Sequence, residues 1–266
     1  MAAVMSSFPV SDIIVPDPRV AGIGQVPEGA ASMSVQHLPF TVRLVRTEDE
    51  LAKAVSVRHA AYARHLPVFA EQLKQPELSD FNSDAVVLLA ESRLDGSPLG
   101  TMRIQTNRND ALPLEQSVRL PEWLHRRRLA EAVRLGIKDG VAGHLVKTVL
   151  FKAFYLYCVQ SQVDWMVIAG RPPIDRQYKR LLFSDVFPEL GCVPLKHAGN
   201  LPHRVMSLKV ADVEPLWRAS QHPLYDFFFH TRHPDIEIEQ AEGSVTQAMQ
   251  PLSARRSGVE VHLAAQ

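Results

Sequence analysis

Glu131 and Arg134 stand three residues apart inside the otherwise apolar run LAEAVRLGI, residues 129–137. A carboxylate can take a proton from an attacking nucleophile, and a guanidinium can grip a carboxylate through two parallel hydrogen bonds. Whether the two act together depends on the element that carries them. Residues three apart share a face of a helix but point to opposite sides of a regular strand. The propensities of residues 128–135 favour a helix, on which the pair would be an exposed ion pair worth about a few tenths of a kcal/mol. The glycines that follow in LGIKDGVAGHL (Gly136, Gly140 and Gly143) suit the other reading: a strand, a tight loop and a helix N-terminus whose free amides favour an anion.

Other chemistries find less in the sequence. His222, His230 and His233 do not follow a zinc spacing, so no metal site is expected. Neither a Gly-x-Ser-x-Gly elbow nor a Cys-x2-Cys pair occurs. The two cysteines, Cys158 and Cys192, make no disulfide framework and suit a reducing cytoplasm. Formal net charge is zero, which gives no general bias toward nucleic acid. No apolar segment is long enough to span a bilayer and the N-terminus lacks a secretory pattern, so the expected location is cytoplasmic, with peripheral membrane contact left open.

The elements that would position these residues read as one domain over 39–239. It lies between a Pro/Gly-rich flexible arm (1–38) and a flexible tail (240–266). FTVRLVR (40–46) alternates like a strand, and Thr47 with Glu50 forms a capping box for the helix that follows. DAVVLLAES and PLGTMRIQT flank an Asp-Gly turn and predict a hairpin. AGHLVKTVLFKAFYLYCVQ is a helix with the apolar stripe Val146, Val149, Leu150, Ala153, Phe154 and Tyr157. VDWMVIAG is a buried strand, PPIDRQYKRLLF a helix, GCVPLKH and RVMSLKV closing strands, and the aromatic segment 214–235 is helical. This order gives an α/β (α+β) domain with a mixed sheet flanked by helices.

Four motifs in sequence order resemble the autoinducer-synthase-like branch of the GNAT acyltransferases, and most of all the N-acyl amino acid synthases of the FeeM type. They are Arg58 and Tyr62 in VRHAAYARH, the acidic cluster Glu77, Asp80 and Asp84 in ELSDFNSDAVVLLAE, Arg103 in LGTMRIQTN, and Glu131 with Arg134 in LAEAVRLGI. The resemblance covers about residues 40–235. It implies a mostly antiparallel, twisted sheet with splayed central strands, and makes 129–137 a strand in which a bulge can bring both charges to one cleft.

The activity implied is transfer of a fatty acyl group from a thioester to an amine. The resemblance assigns Glu131 as the base, or otherwise as the partner that holds Arg134 and Arg103. It places backbone oxyanion donors around Arg103 and Ile104, and gathers Arg58, Tyr62, Asp80, Asp84 and Arg134 around the acceptor. Acyl-homoserine lactone synthases carry a tryptophan where this chain reads ARHLPVF, a departure that weakens S-adenosylmethionine use and favours a plain amino acid. KDGVAGH departs from the pyrophosphate loop of coenzyme A-dependent relatives, so the 4′-phosphopantetheine of acyl carrier protein is the expected donor, with a coenzyme A thioester as the alternative. No tightly bound cofactor is implied. An acidic carrier needs a basic face, for which Arg126, Arg127, Arg128, Lys147 and Lys152 are candidates; Arg171, Arg176, Lys179 and Arg180 form another group. The alternatives are a homoserine lactone synthase and a non-catalytic module that binds carrier protein or lipid.

Overall fold

The computed structural model describes residues 33–140 and 142–239. In chain order the elements are β1 (Ser34–Val35), β2 (Phe40–Leu44), α1 (Glu48–Ala63), α2 (Pro67–Ala70), β3 (Ala85–Ser92), β4 (Pro98–Thr106), β5 (Leu129–Ile137) and α3 (Gly143–Gln160). There follow β6 (Trp165–Gly170), α4 (Asp175–Arg180), β7 (Ser184–Asp185), β8 (Val193–Leu195), β9 (Leu201–Lys209), α5 (Val213–Ala219), β10 (Thr231–Arg232) and β11 (Ile236–Glu237). The main sheet runs β11-β2-β3-β4-β5-β6-β9-β7, with β8 also on β9. Its pairs are antiparallel except β11–β2 and β5–β6.

The alternation of each strand separates two faces. Met102, Ile104 and Ala130 point to α3, whose stripe of Val146, Val149, Leu150, Ala153, Phe154 and Tyr157 packs on them as one apolar cluster. The C-terminal aromatic segment joins this core through Trp217 and Phe228. It is helical only in α5 and in a wide turn at Asp226–His230. The opposite face carries two smaller apolar clusters. One is built on Leu51, Val55, Val87 and Leu89, the other on Leu112, Leu114, Leu129, Val167 and Val205. Arg103, Gln105 and Glu131 share the parity of Val87 and Val167, so they emerge on this second face.

The expected local signals are present. Thr47 accepts the Glu50 N–H at 3.2 Å and the Glu50 carboxylate accepts the Thr47 N–H, closing the capping box of α1. Gly96 takes φ +66° in the β3–β4 turn. Two boundaries move. Residues 34–38, read as part of the arm, are tied to the domain although mostly exposed: β1 pairs with β10, and the buried Leu38 donates its N–H to Asp235 at 2.8 Å. The rest of the arm (1–32) and the tail (240–266) lie outside the described residues. The helix read over PPIDRQYKRLLF shortens to α4, because its prolines precede the helix and Leu182 takes φ +66°, which ends it.

Gly136 fixes how α1 sits on the sheet. A Cβ there would lie 2.9 Å from the Arg58 Cα, so only glycine lets the helix come this close to β5. Gly136→Ala is expected to cost about 1–3 kcal/mol by overpacking, and to displace Arg58. Urea denaturation checks this; a change below about 0.5 kcal/mol would mean that α1 shifts freely.

Candidate active site

β5 and β6 pair in parallel only from Leu129 with Trp165 to Ala132 with Ile168. Beyond that point β5 follows β4, through Gly136 with Thr101 and Ile137 with Gly100, while β6 follows β9 through Ala169 and Gly170. The sheet therefore splits between its two central parallel strands. The bulge lies at the start of the split. From Thr101 to Arg103 β4 advances two residues, while the partners on β5, Gly136 and Val133, are three apart. Arg134 absorbs the extra residue at φ +56°, a left-handed conformation that is rare for a side-chain-bearing residue and marks a held site. The bulge resets the alternation and turns Arg134 to the same face as Glu131. The strand reading of 129–137 is thus the observed one. Helix propensity lost to pairing on both sides of β5.

Five charged residues from four segments meet on this face. Arg58 of α1 holds both Asp80 oxygens, at 2.9 and 2.8 Å. Arg103 of β4 donates to Asp80 at 2.8 Å and to Glu77 at 3.1 Å. Arg134 grips both Glu77 oxygens at 2.7 Å. The Asp80 side chain is 0% exposed, and those of Arg58, Arg103 and Arg134 are nearly so. Burial pushes the Glu77 and Asp80 carboxyls up, but the guanidinium groups outweigh it and hold both below the ordinary carboxylate range. Burial likewise lowers Arg134, and its bonds to Glu77 more than restore it. Three cations thus face two ionised carboxylates. Arg58 Nε and Arg103 Nε, both buried, have no hydrogen-bond partner among the described residues.

Glu131 stands beside this group and differs from it. It is 0% exposed and accepts one hydrogen bond, from the Leu114 N–H at 3.1 Å. Burial drives its pKa up to about 8, against the smaller opposing effects of the Leu114 amide, Arg103 and Arg134. Its second oxygen lies 3.4 Å from Nε2 of His197. Burial, with Arg134, His203 and Arg103 nearby, takes that imidazole down to about 4. At neutral pH the two are therefore a neutral acid and a neutral imidazole, not an ion pair, despite their spacing.

Of the acceptor residues named from sequence, Arg58, Asp80 and Arg134 converge. Tyr62 sits one turn from Arg58, its ring 5.8 Å from Phe69; burial raises its phenol while Arg134 pulls the other way. Asp84 does not join them. Its carboxylate accepts from the Asn109 N–H and side-chain amide at 2.6 Å each and from the Asp110 N–H at 2.9 Å, pinning the loop after β4. An Asx-type loop anchor explains its burial without a substrate. Arg103 and Ile104 do not present open amides either, because β4 is paired to β3 through Val87 and Val86 and to β5 through Val133 and Ala132. Among the described residues β5 has no strand partner from Val133 onward on the side that faces β6.

The basic candidates also divide. Lys152 is buried, and its ammonium donates to the Phe227 and Thr231 carbonyls at 2.7 and 2.6 Å and meets His233 Nδ1 at 2.9 Å. It ties α3 to the C-terminal segment and is not a surface docking residue. Arg126, Arg127 and Arg128 are exposed at the start of β5, where Arg128 pairs with Asp164 at 3.1 Å. Lys147 lies near the start of α3, bonded to Gln177 of α4 at 2.6 Å. The nine-residue β5 separates the two groups by roughly 25 Å, so closeness in sequence did not mean closeness in space. Arg180 of α4 lies close enough to Lys147 to lower its ammonium, and exposed Arg176 and Lys179 stand on the same short helix, which follows β6 at the open end of the split.

Glu77 belongs to the acidic cluster of the sequence motif, but nothing in the motif marks it as the centre of the network. Nor does the sequence mark Phe69, whose ring lies 5.4 Å under the Arg134 guanidinium, or His197. Two cavities, of about 640 Å³ beside Arg46 and His233 and about 570 Å³ between α1 and Phe81, lie away from Glu131 and Arg134. The charged groups in the first are largely committed to each other, as Arg43 is to Glu50 at 3.0 Å, so the chemistry points to the split instead. Among the described residues no group of His, Cys, Asp and Glu could hold a metal ion, and no helix is long and apolar enough to cross a membrane.

A mixed sheet opened between two central parallel strands, with charged groups gathered against the opening, defines a GNAT-like acyltransferase. The sequence profile of the N-acyl amino acid synthase FeeM family matches residues 53–199, and the chain belongs to that family. It is similar to the structure of FeeM, an N-acyl amino acid synthase from uncultured soil microbes, at 21% identity and TM-score 0.51, over 71% of this chain and 96% of the other. BjaI, a coenzyme A-dependent acyl-homoserine lactone synthase, shares the fold at 13% identity and TM-score 0.50, over 79% of this chain and 98% of its own. No curated protein sequence matches the chain.

Proposed function

We propose that the protein transfers a long-chain fatty acyl group from the phosphopantetheine thioester of acyl carrier protein to the amine of an amino acid, giving an N-acyl amino acid. The observation that carries this is the meeting of the Arg58–Glu77–Asp80–Arg103–Arg134 group and Glu131 at the point where β5 and β6 part. A pantetheine arm laid in the split meets the unpartnered edge of β5, whose amides suit a developing oxyanion. The excess of one cation and the unmet Nε groups of Arg58 and Arg103 favour an acceptor with its own carboxylate. Glu131 takes the proton from the attacking nitrogen. The new C–N bond forms as the C–S bond breaks, and the proton goes on to the departing thiolate. The acyl chain has an apolar partner in the α3 face, through Phe151 and Phe154.

Purified protein with acyl carrier protein loaded with a fatty acid, and a panel of amino acids, tests this. Thiol release is expected only when an amine acceptor is present, together with a new acyl-amide by mass spectrometry. Complex formation without turnover would instead make the chain a binding module.

The carrier should dock at the open end of the split. The double charge reversal Arg176→Glu and Arg180→Glu is expected to raise KM for acyl carrier protein about tenfold at low salt, and less at high salt, while Arg126→Glu with Arg127→Glu changes it little. The opposite ranking, or no salt dependence, would place docking elsewhere.

A further inference from the structure

The turn Lys196–Ala198, between β8 and β9, is strapped over the buried carboxyl of Glu131. Arg134, already holding Glu77, donates its Nη2 to the His197 carbonyl at 2.8 Å. Gly199, at φ +71°, lies so close to Phe69 that a Cβ would come within 2.9 Å of the ring, and the same ring has the Arg134 guanidinium over it, 5.4 Å from its centre. These contacts bring His197 Nε2 to 3.4 Å from Glu131 Oε1, an oxygen that has no hydrogen-bond partner and is shielded from solvent. The His197 side chain is itself only 11% exposed.

We propose that His197 is a positioning residue for the transfer reaction: its Nε2 accepts the O–H of protonated Glu131 and so holds that carboxyl in the rotamer and protonation state that exchange a proton with the acceptor nitrogen. This rests on the acyltransferase reading of the same site. In the working cycle the carboxylate of Glu131 takes one proton from the nitrogen as the C–N bond forms. The resulting acid donates to the neutral imidazole, and the proton then leaves with the thiolate as the C–S bond breaks. His197 gains and loses no proton overall. A bond that favours the neutral acid raises the basicity of the carboxylate toward that of an α-amino group, which titrates near 8.

Several groups face the pair and bear on this balance: Arg103 and Gln105 from β4, Arg134 from the bulge, Glu115, the Leu114 amide and the Pro113 carbonyl, which accepts from the His197 ring, from the 113–116 turn, and His203 from β9. The two arginines and the Leu114 amide favour the carboxylate of Glu131; Glu115 opposes it. His197 is the neighbour whose imidazole nitrogen can take the acid's proton in a hydrogen bond.

Difference infrared spectroscopy of the full chain against Glu131→Gln isolates the Glu131 carboxyl, and its protonated band can be titrated without turnover. His197→Ala is expected to lower that midpoint by about one pH unit or more and kcat by at least about tenfold, with KM nearly unchanged. His197→Gln presents an amide oxygen in a similar place and should keep both close to the parent values. An unchanged midpoint in His197→Ala overturns the inference, as does a His197→Gln variant that loses as much as alanine. If His197→Ala does not fold, the glutamine variant decides: a midpoint displaced by more than about one unit overturns it. Absence of any thiol release by the parent protein, with the infrared response intact, overturns the acyltransferase reading and not the coupling of the two side chains.

Discussion

Asp80→Ala is expected to destabilise the fold by about 3–5 kcal/mol, since it removes one partner from a buried ion network and leaves guanidinium groups uncompensated. Arg58 would lose both of its short hydrogen bonds and keep only Glu77, at 3.4 Å. Arg103 would lose its 2.8 Å partner and the Glu77 backbone N–H its acceptor. For a domain of this size the melting temperature should fall by roughly 10 °C. The loss has a pH signature. The Asp80 carboxyl is held below its ordinary value of 3.8, so its contribution is present above that pH and disappears as the pH falls through the lower folded value. Parent and variant should therefore converge in acid. A loss below about 1 kcal/mol at pH 7 would show that the network is solvated rather than buried. Replacing Arg58, Arg103 and Asp80 together by apolar residues should cost less than Asp80→Ala alone, because no charge is stranded.

Glu131→Gln is expected to lower kcat by about a hundredfold or more, with little harm to folding. The two effects separate because this carboxyl is already neutral in the folded protein at pH 7. Its folded value of about 8 lies above the ordinary 4.5, so the stability it contributes is full below 4.5 and is lost as the pH rises through 8. Glutamine carries no such dependence. The stability of the variant relative to the parent should therefore climb across that window, read from denaturation curves at several pH values. Activity of the parent should move the other way, rising through about pH 8 as the carboxylate and the free amine both become available. Unchanged turnover in Glu131→Gln would remove it as the base and leave it as packing beneath Arg134.

What could be read in advance follows from how local each feature is. The capping box at Thr47, the Asp-Gly hairpin turn and the apolar stripe of α3 are set by neighbours within one or two turns, and all are present. Segment 129–137 is the opposite case. Its composition favours a helix, and only partners some thirty residues away on either side, in β4 and β6, make it a strand. The resemblance of four ordered motifs supplied what propensity could not. It located Arg58, Asp80, Arg103, Glu131 and Arg134 but not their pairings. Asp84 shares the acidic stretch with Glu77 and Asp80, yet the start of β3 turns it to the 107–110 loop instead. His197 had no sequence signal at all. One histidine in KHAGN becomes a neighbour of Glu131 only through the β8–β9 turn and the reach of Arg134. Lys152 reads as one more lysine on an amphipathic helix, and only the folded-back C-terminal segment shows why its ammonium is buried.

The central claim is that thioester and amine meet where β5 leaves β6. A crystal structure with a non-hydrolysable thioether analogue of acyl-pantetheine tests it most directly. The account predicts the pantetheine arm lying between the two strands, its carbonyl oxygen toward the Val133 edge of β5 and its reacting carbon on the side of Glu131. An analogue seated in the cavity beside Arg46 and His233, with nothing bound between β5 and β6, would contradict it.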